Sequence, residues 1–181
     1  MKTLDFAFLI GKLKRVPRTG WIDHKVHDPE SVAEHSYRMA LLVMVLAPKL
    51  NIDVTKTMKI ALIHDLAEAE IGDIVTLRGT KIVGDVIEKR AKEAEAMRGI
   101  AQMLEISELE SLFREYGEQS SPEARIVKQL DRLEMLIQAY EYETEQKIDL
   151  EEFFIATRPE LVGKEMEGLL QELEKRREQK D

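Results

Sequence analysis

The sequence predicts an all-α protein, a single-domain helical bundle spanning residues 1–181. Apolar residues recur every three or four positions in successive segments, which is the spacing of one buried helix face. Two segments open with helix-capping serines, Ser31 and Ser121. No strand-like pattern extends beyond Lys81–Val83, and no linker composition divides the chain. Helices packed in one domain are therefore expected.

The first three elements follow from local signals. Residues 6–13 carry apolar side chains at helical spacing, and this short helix ends before Pro17. Residues 15–29 contain two prolines and one glycine without an apolar period, which predicts a loop. Ser31–Glu34 has the form of a capping box and opens a helix that continues to about Pro48.

The middle of the chain predicts two more helices. One covers residues 54–69 and is interrupted at Gly72, after which a looser stretch continues to about Gly79. The next covers residues 83–104, and its charged residues 88–95 predict a solvated face. Its apolar stripe comprises Val86, Ile87, Ala91, Ala94, Met97, Ala101 and Leu104.

Two further start signals predict the remaining helices. Ser121 followed by Pro122 is a capping serine with proline at the first helical position. The helix behind it has an apolar side formed by Ile126, Leu130, Leu133, Ile137 and Tyr140. Pro159 predicts the start of the last helix, and its charged end, residues 173–181, is expected to fray.

Charge and composition exclude several functions. The formal net charge of −8 argues against binding of a nucleic-acid polymer or an anionic membrane. The longest apolar run, residues 39–46, is far shorter than the roughly 20 residues that cross a bilayer, and the N-terminus does not resemble a signal peptide. A cytoplasmic protein is expected. Because there is no cysteine, the four histidines must supply the imidazole ligands if the chain binds a transition metal.

His64 and Asp65 are the most informative pair of residues. They stand side by side in an otherwise apolar segment, where two ionisable groups are costly to desolvate unless something pairs with them. A divalent metal would do so, because imidazole and carboxylate are both good ligands. Glu68 follows one turn later, and Asp73 comes just after the Gly72 break.

The pair alone would fit a core histidine capped by its neighbour equally well. Two other polar residues favour the metal. His35 shares the apolar face of its own helix, and Asp131 flanks the core face of another. Helical bundles build metal sites from such inward side chains on facing helices. The predicted ligands are His35, His64, Asp65 and Asp131.

The order of these four residues, His, His-Asp and Asp, resembles the signature of the HD-domain phosphohydrolases. Three segments, Leu13–Trp21, Pro29–Ala40 and Glu123–Asp131, closely resemble the HD-domain-containing protein 2 family. That family is related to the YfbR-type bacterial 5′-deoxynucleotidases. The resemblance covers nearly the whole chain, from Leu13 to the last helix.

The resemblance implies roles for individual residues. His35, His64, Asp65 and Asp131 match the metal ligands of the family. Glu68 and Asp73 match its catalytic acids, and in some members they hold a second cation together with the backbone at Ile74. The residues matched to substrate binding are Arg18 and Trp21, near the phosphate, and Asp73, Ile74, Val75 and Thr76, along the nucleotide pocket.

The resemblance also implies an activity and partners. Members hydrolyse deoxyribonucleoside 5′-monophosphates, a small-molecule nucleotide substrate, as homodimers. The expected cofactor is a divalent transition metal (cobalt, manganese, nickel or zinc), with magnesium as a candidate for a second site. Two other interpretations stay open: another HD-type activity on nucleoside triphosphates or phosphodiesters, and a non-catalytic helical module that binds a nucleotide.

Several of these residues also have a purely structural interpretation. Trp21 could anchor the loop in the core, and Arg18 could be a surface charge. Lys128 lies one turn before Asp131 and could simply pair with it. His24 and His27 are expected to be surface histidines of the loop.

Overall fold

The computed structural model describes residues 2–78 and 81–179, and most of them are helical, which confirms the all-α class. The elements follow in the order α1 (Lys2–Leu13), α2 (Thr19–Asp23), α3 (Val32–Leu46), α4 (Val54–Ile63), α5 (Glu68–Ile71), β1 (Leu77–Arg78), β2 (Lys81–Ile82), α6 (Val86–Leu104), α7 (Ser107–Glu118), α8 (Pro122–Gln146), α9 (Glu151–Thr157) and α10 (Lys164–Glu178), with a 3₁₀ turn at Arg158–Glu160 before α10. The two short strands pair antiparallel. Within the described ranges, no helix combines the length and the apolar character needed to cross a membrane.

Both predicted helix caps are present. The hydroxyl of Ser31 accepts a hydrogen bond from the backbone N–H of Glu34, and the Glu34 carboxylate accepts one from the N–H of Ser31. Ser121 caps α8 in the same manner through the N–H of Ala124. The prediction that residues 15–29 form only a loop is wrong, because this segment contains the short helix α2.

The prediction of one helix over residues 54–69 is also wrong. Helix α4 ends at Ile63, and residues 64–67 form tight turns before α5 begins. Two backbone hydrogen bonds span three residues instead of four, from the N–H of Leu66 to Ile63 and from the N–H of Glu68 to Asp65. Gly72, with φ of +76°, ends α5 in the left-handed region that favours glycine.

The C-terminal half differs from the prediction in three places. The stripe of α6 is only partly buried, since Met97 and Ala101 lie in the core while Ile87 is 81% exposed. The helices α7 and α9 were not predicted. The last helix begins at Lys164, because Pro159 lies in the 3₁₀ turn. It continues through a buried Leu173 to Glu178, so residues 173–178 are helical. Gly79 and residues 180–181, on which parts of the predictions fall, lie outside the described residues.

The core places α8 against α3 and α4, and these two helices also pack against each other. Val43 of α3, Ile60 of α4 and Leu130 of α8 are fully buried. Burial of such side chains contributes about 1.5–3 kcal/mol each. The same packing brings the predicted ligands together, because His35 lies on α3, His64 directly follows α4, and Asp131 lies on α8.

Candidate metal centre

Three buried side chains from separate helices bring ligand atoms together. One nitrogen each of His35 and His64 and one carboxylate oxygen of Asp131 all lie within 4.8 Å of one another. His35 Nε2 is 3.4 Å from Asp131 Oδ1. Asp65 adjoins this group, because its Oδ2 is 3.1 Å from His64 Nε2 and 3.9 Å from His35 Nε2. Three predicted ligands therefore converge, and the fourth, Asp65, lies beside the two histidines.

Hydrogen bonds at Nδ1 orient both imidazoles. His64 Nδ1 is 2.7 Å from the carbonyl oxygen of Ala61, and His35 Nδ1 is 2.5 Å from Oε2 of Glu134. Each ring therefore turns Nε2 towards the cluster. Partners of this kind fix the tautomer and orientation of metal-binding histidines.

The residues fit a divalent metal. The Nε2 atoms of His35 and His64 are buried and have no hydrogen-bond partner among the described residues. A buried polar atom without a partner carries a penalty of about 1–3 kcal/mol, which coordination to a metal would relieve. Two imidazoles and two carboxylates are a suitable ligand set for zinc, cobalt, nickel or manganese.

Glu134 is a functional candidate that the sequence analysis missed. It is fully buried on α8, and its second oxygen accepts a hydrogen bond of 2.7 Å from Arg38 Nε. Arg38 is held in turn by Gln138 and Glu141. Glu134 lies one turn after Asp131, so an acid repeated at helical spacing on a core face could have indicated it.

We expect Glu134→Gln to weaken metal binding about 10- to 100-fold, because it removes the charge that orients His35 and raises its basicity. Titration of the metal-free protein with cobalt measures this. Glu141→Gln is the matched control, since Glu141 also binds Arg38 but has no described contact with His35. Equal affinities in both variants and the wild type would contradict the role of Glu134.

The charges of the cluster make metal binding compete with protons. Burial and the charge of Arg18 lower the pKa of His35, but its interactions with Asp131 and Glu134 outweigh them and raise the pKa to about 9. Burial opposes ionisation of Asp131, but Lys128 and His35 hold its pKa well below the usual range. A metal bound at His35 would compete with a proton for Nε2, so metal affinity is expected to fall as the pH falls.

Glu68 lies at the edge of the cluster and is only 2% exposed. Its Oε2 is buried and has no hydrogen-bond partner in the described part of the chain. Burial and the neighbouring Asp65 and Asp73 raise its pKa well above the usual range, while Arg18 and Lys89 oppose this. A cation bound nearby would oppose this shift and favour the ionised carboxylate, the form that can accept a proton.

Arg18 lies against the predicted ligands and is not a surface charge. Its guanidinium donates a hydrogen bond of 3.0 Å to Asp65 Oδ2 and is 3.9 Å from Asp131 Oδ1. Backbone pairing holds the segment in place, because Pro17 and Ser31 form a bridge and the N–H of Arg18 binds the carbonyl of Glu30. The predicted phosphate ligand is thus beside the predicted metal ligands.

Asp73 holds the start of α2. Its Oδ2 accepts a hydrogen bond of 2.6 Å from the N–H of Thr19, and its carbonyl accepts one from the Thr19 hydroxyl. The carboxylate therefore helps to position Arg18, the preceding residue. Residues 74–76 form the half-buried segment that follows, and their contact with substrate stays a prediction.

Trp21 is a buried core residue, and its predicted contact with substrate stays a prediction. Trp21 is 2% exposed and packs against Tyr142 and Phe153. Its indole N–H donates to Glu30 Oε1. Because an aromatic ring is buried with its polar atom satisfied, Trp21 anchors the loop that carries Arg18.

The charged face of α6 is not wholly solvated. Lys89 and Glu93 form an ion pair and are partly buried, and Lys89 interacts electrostatically with Glu68, Asp65 and Asp73. Lys128 does pair with Asp131, at 3.0 Å. His24 is half-buried between Gly20 and Glu152, contrary to expectation, whereas His27 is exposed.

The fold is helical, and two histidines and two aspartates lie together in its interior. These features are typical of all-α proteins with a buried metal site. The family model for the HD domain matches residues 10–174, and the chain belongs to this family. This confirms the resemblance seen in the motifs.

Individual relatives cover most of the chain. It is similar to the human protein named 5′-deoxynucleotidase HDDC2, with 44% identity over 180 residues that cover 96% of this chain and 85% of the relative. A fission-yeast (Schizosaccharomyces pombe) protein, 5′-deoxynucleotidase hdd1, is 39% identical over 150 residues, or 79% of this chain and 73% of the relative. Among solved structures, a conserved hypothetical protein from Pyrococcus furiosus matches with a TM-score of 0.79 and 39% identity, over 95% of this chain and 99% of that one.

Proposed function

We propose that this protein is a metal-dependent 5′-deoxynucleotidase, a hydrolase that converts deoxyribonucleoside 5′-monophosphates to deoxynucleoside and phosphate. The names of its relatives support the substrate class. The observation that carries the proposal is the position of Arg18, a fork of donors suited to phosphate, directly against Asp65 and Asp131. A phosphate held there would lie next to both a metal and the proton acceptor Glu68.

The proposed reaction divides the work among the residues of the site. A divalent metal held by His35, His64, Asp65 and Asp131 would supply Lewis acidity and make water more acidic. Arg18 orients the phosphoryl group and neutralises its charge. Glu68 accepts a proton from the attacking water as the water oxygen bonds to phosphorus. The bond between phosphorus and the 5′ oxygen breaks, and that oxygen takes up a proton from solvent while Glu68 releases its own.

The finer assignments belong to the same proposal. Asp73, Ile74, Val75 and Thr76 line the nucleotide pocket, and Glu68, Asp73 and the backbone at Ile74 are the candidates for a second cation such as magnesium. Cobalt, manganese, nickel or zinc would occupy the main site. The chain works as a single domain in the cytoplasm. The half-buried state of residues 73–76 and the acidic side chain of Asp73 support the pocket and second-cation assignments.

A phosphate-release panel tests the proposal. Deoxy- and ribonucleoside mono-, di- and triphosphates are compared in the presence of cobalt, manganese or magnesium. We expect release from deoxyribonucleoside monophosphates and little from the others. Equal rates on ribo and deoxy substrates would refute the deoxy preference, faster triphosphate cleavage would favour another HD-type activity, and no release would favour a binding module.

We further propose a homodimer that uses an apolar stripe on α3. Leu41, Met44 and Val45 are 44%, 55% and 60% exposed and share one face of the helix. In a two-fold symmetric dimer, this face of one copy would pack against the same face of the second copy. Leu41→Glu combined with Val45→Glu should convert the dimer to a monomer in light scattering, whereas a wild-type chain that is itself monomeric would refute the proposal.

A further inference from the structure

The two carboxylate oxygens of Asp131 have different surroundings. Oδ1 faces the cluster, at 3.4 Å from His35 Nε2 and 3.9 Å from a guanidinium nitrogen of Arg18. Oδ2 faces away from it and accepts hydrogen bonds from Lys128 Nζ, at 3.0 Å, and from the Tyr116 hydroxyl, at 3.3 Å. The carboxylate is therefore held in one orientation by two donors.

Tyr116 contacts two of the predicted ligands at once. Besides its hydrogen bond to Asp131, its ring packs edge-on against the imidazole of His64, with centroids 5.4 Å apart and an interplanar angle of 72°. The Lys128 ammonium lies 3.4 Å from the Tyr116 hydroxyl and 5.6 Å from the centroid of its ring. Tyr116 comes from α7, a helix that carries none of the four ligands.

We propose that Tyr116 is a positioning residue that, together with Lys128, keeps Oδ2 of Asp131 occupied and leaves Oδ1 alone to bind the metal. This inference rests on the metal site of the proposed function. An oxygen that already accepts two hydrogen bonds is a poor additional ligand, so Asp131 binds through one oxygen. Fewer protein ligand atoms leave coordination positions for water and phosphate, which a catalytic site needs.

Without such donors, a carboxylate group rotates easily about its terminal torsion. The terminal torsion of an aspartate has a broad energy minimum, so small changes in its hydrogen bonds rotate the two oxygens. Without the Tyr116 hydroxyl, Oδ2 keeps only Lys128, whose side chain is 35% exposed and therefore weakly held. Both oxygens could then reach the metal, and the coordination number would rise.

Tyr116→Phe tests this because it removes only the hydroxyl and keeps the ring against His64. Each protein is freed of metal and titrated with cobalt, whose visible absorption is sensitive to coordination number. We expect Tyr116→Phe to reach full occupancy with a dissociation constant raised about tenfold. Its visible absorption band should be weaker than that of the wild type. Lys128→Met should change the band in the same direction.

Tyr37→Phe is the matched control, because Tyr37 is 67% exposed on α3 and removal of its hydroxyl should change neither property. A spectrum and affinity of Tyr116→Phe equal to those of the wild type would overturn the inference, as would a change seen only in Lys128→Met. Failure of the metal site itself gives a different result, since Asp131→Ala would then retain its metal. The two failures are therefore distinguishable.

Discussion

Replacing His64 by alanine is expected to leave the purified protein without bound metal and without phosphatase activity. The Nε2 of His64 is buried, points at the other ligands and has no alternative partner among the described residues. The backbone carbonyl of Ala61 holds the ring in this orientation. Asp131→Ala should behave in the same way, since it removes the carboxylate that lies 3.4 Å from His35 Nε2.

Elemental analysis after desalting measures the metal content of these two variants. His27→Ala is the control, because His27 is an exposed loop histidine whose described hydrogen bonds involve only its backbone. Circular dichroism establishes that the variants fold. Unchanged metal content in both His64→Ala and Asp131→Ala would refute the metal centre.

Glu68→Gln is expected to reduce turnover about 10²- to 10⁴-fold while the protein keeps its fold and most of its metal. Glutamine has nearly the same shape as glutamate, so the buried position stays filled. It cannot accept a proton from water at Oε2, the oxygen that has no hydrogen-bond partner among the described residues. The loss should therefore appear in the maximal rate at saturating metal.

Glu70→Gln is the matched control on the same short helix. Glu70 is exposed and pairs with Lys12 at the surface, a contact worth little in stability. Its turnover and metal content should equal those of the wild type. Wild-type turnover in Glu68→Gln would exclude Glu68 as the proton acceptor, and loss of metal in that variant would instead make it a ligand.

The predicted ligands could be identified from sequence because each stands out among apolar neighbours. His35, His64 and Asp131 are polar residues at or beside core-facing positions, and that pattern depends only on the 3.6-residue period. The capping signals at Ser31 and Ser121 are local as well, and both helices start where they predict. The α7 segment carried such a pattern too, with Leu109, Leu112, Phe113 and Tyr116 at helical spacing.

Other features depend on contacts between residues far apart in the chain. The hydrogen bond from His35 to Glu134 joins α3 to α8, and the one from Tyr116 to Asp131 joins α7 to α8. Burial of Trp21 by Tyr142 and Phe153 is equally remote in sequence. A local period indicates which face of a helix is buried but not which side chain lies opposite it.

The sequence by itself determined the helical class of this protein and the four residues that face one another in its cluster, because side-chain periodicity and the cost of burying charge are local properties. The tertiary structure alone decided how that cluster is oriented. It turned both Nε2 atoms inward, placed Arg18 against Asp65 and occupied one oxygen of Asp131. Hydrogen bonds act over about 3 Å, so these arrangements exist only once the helices have packed.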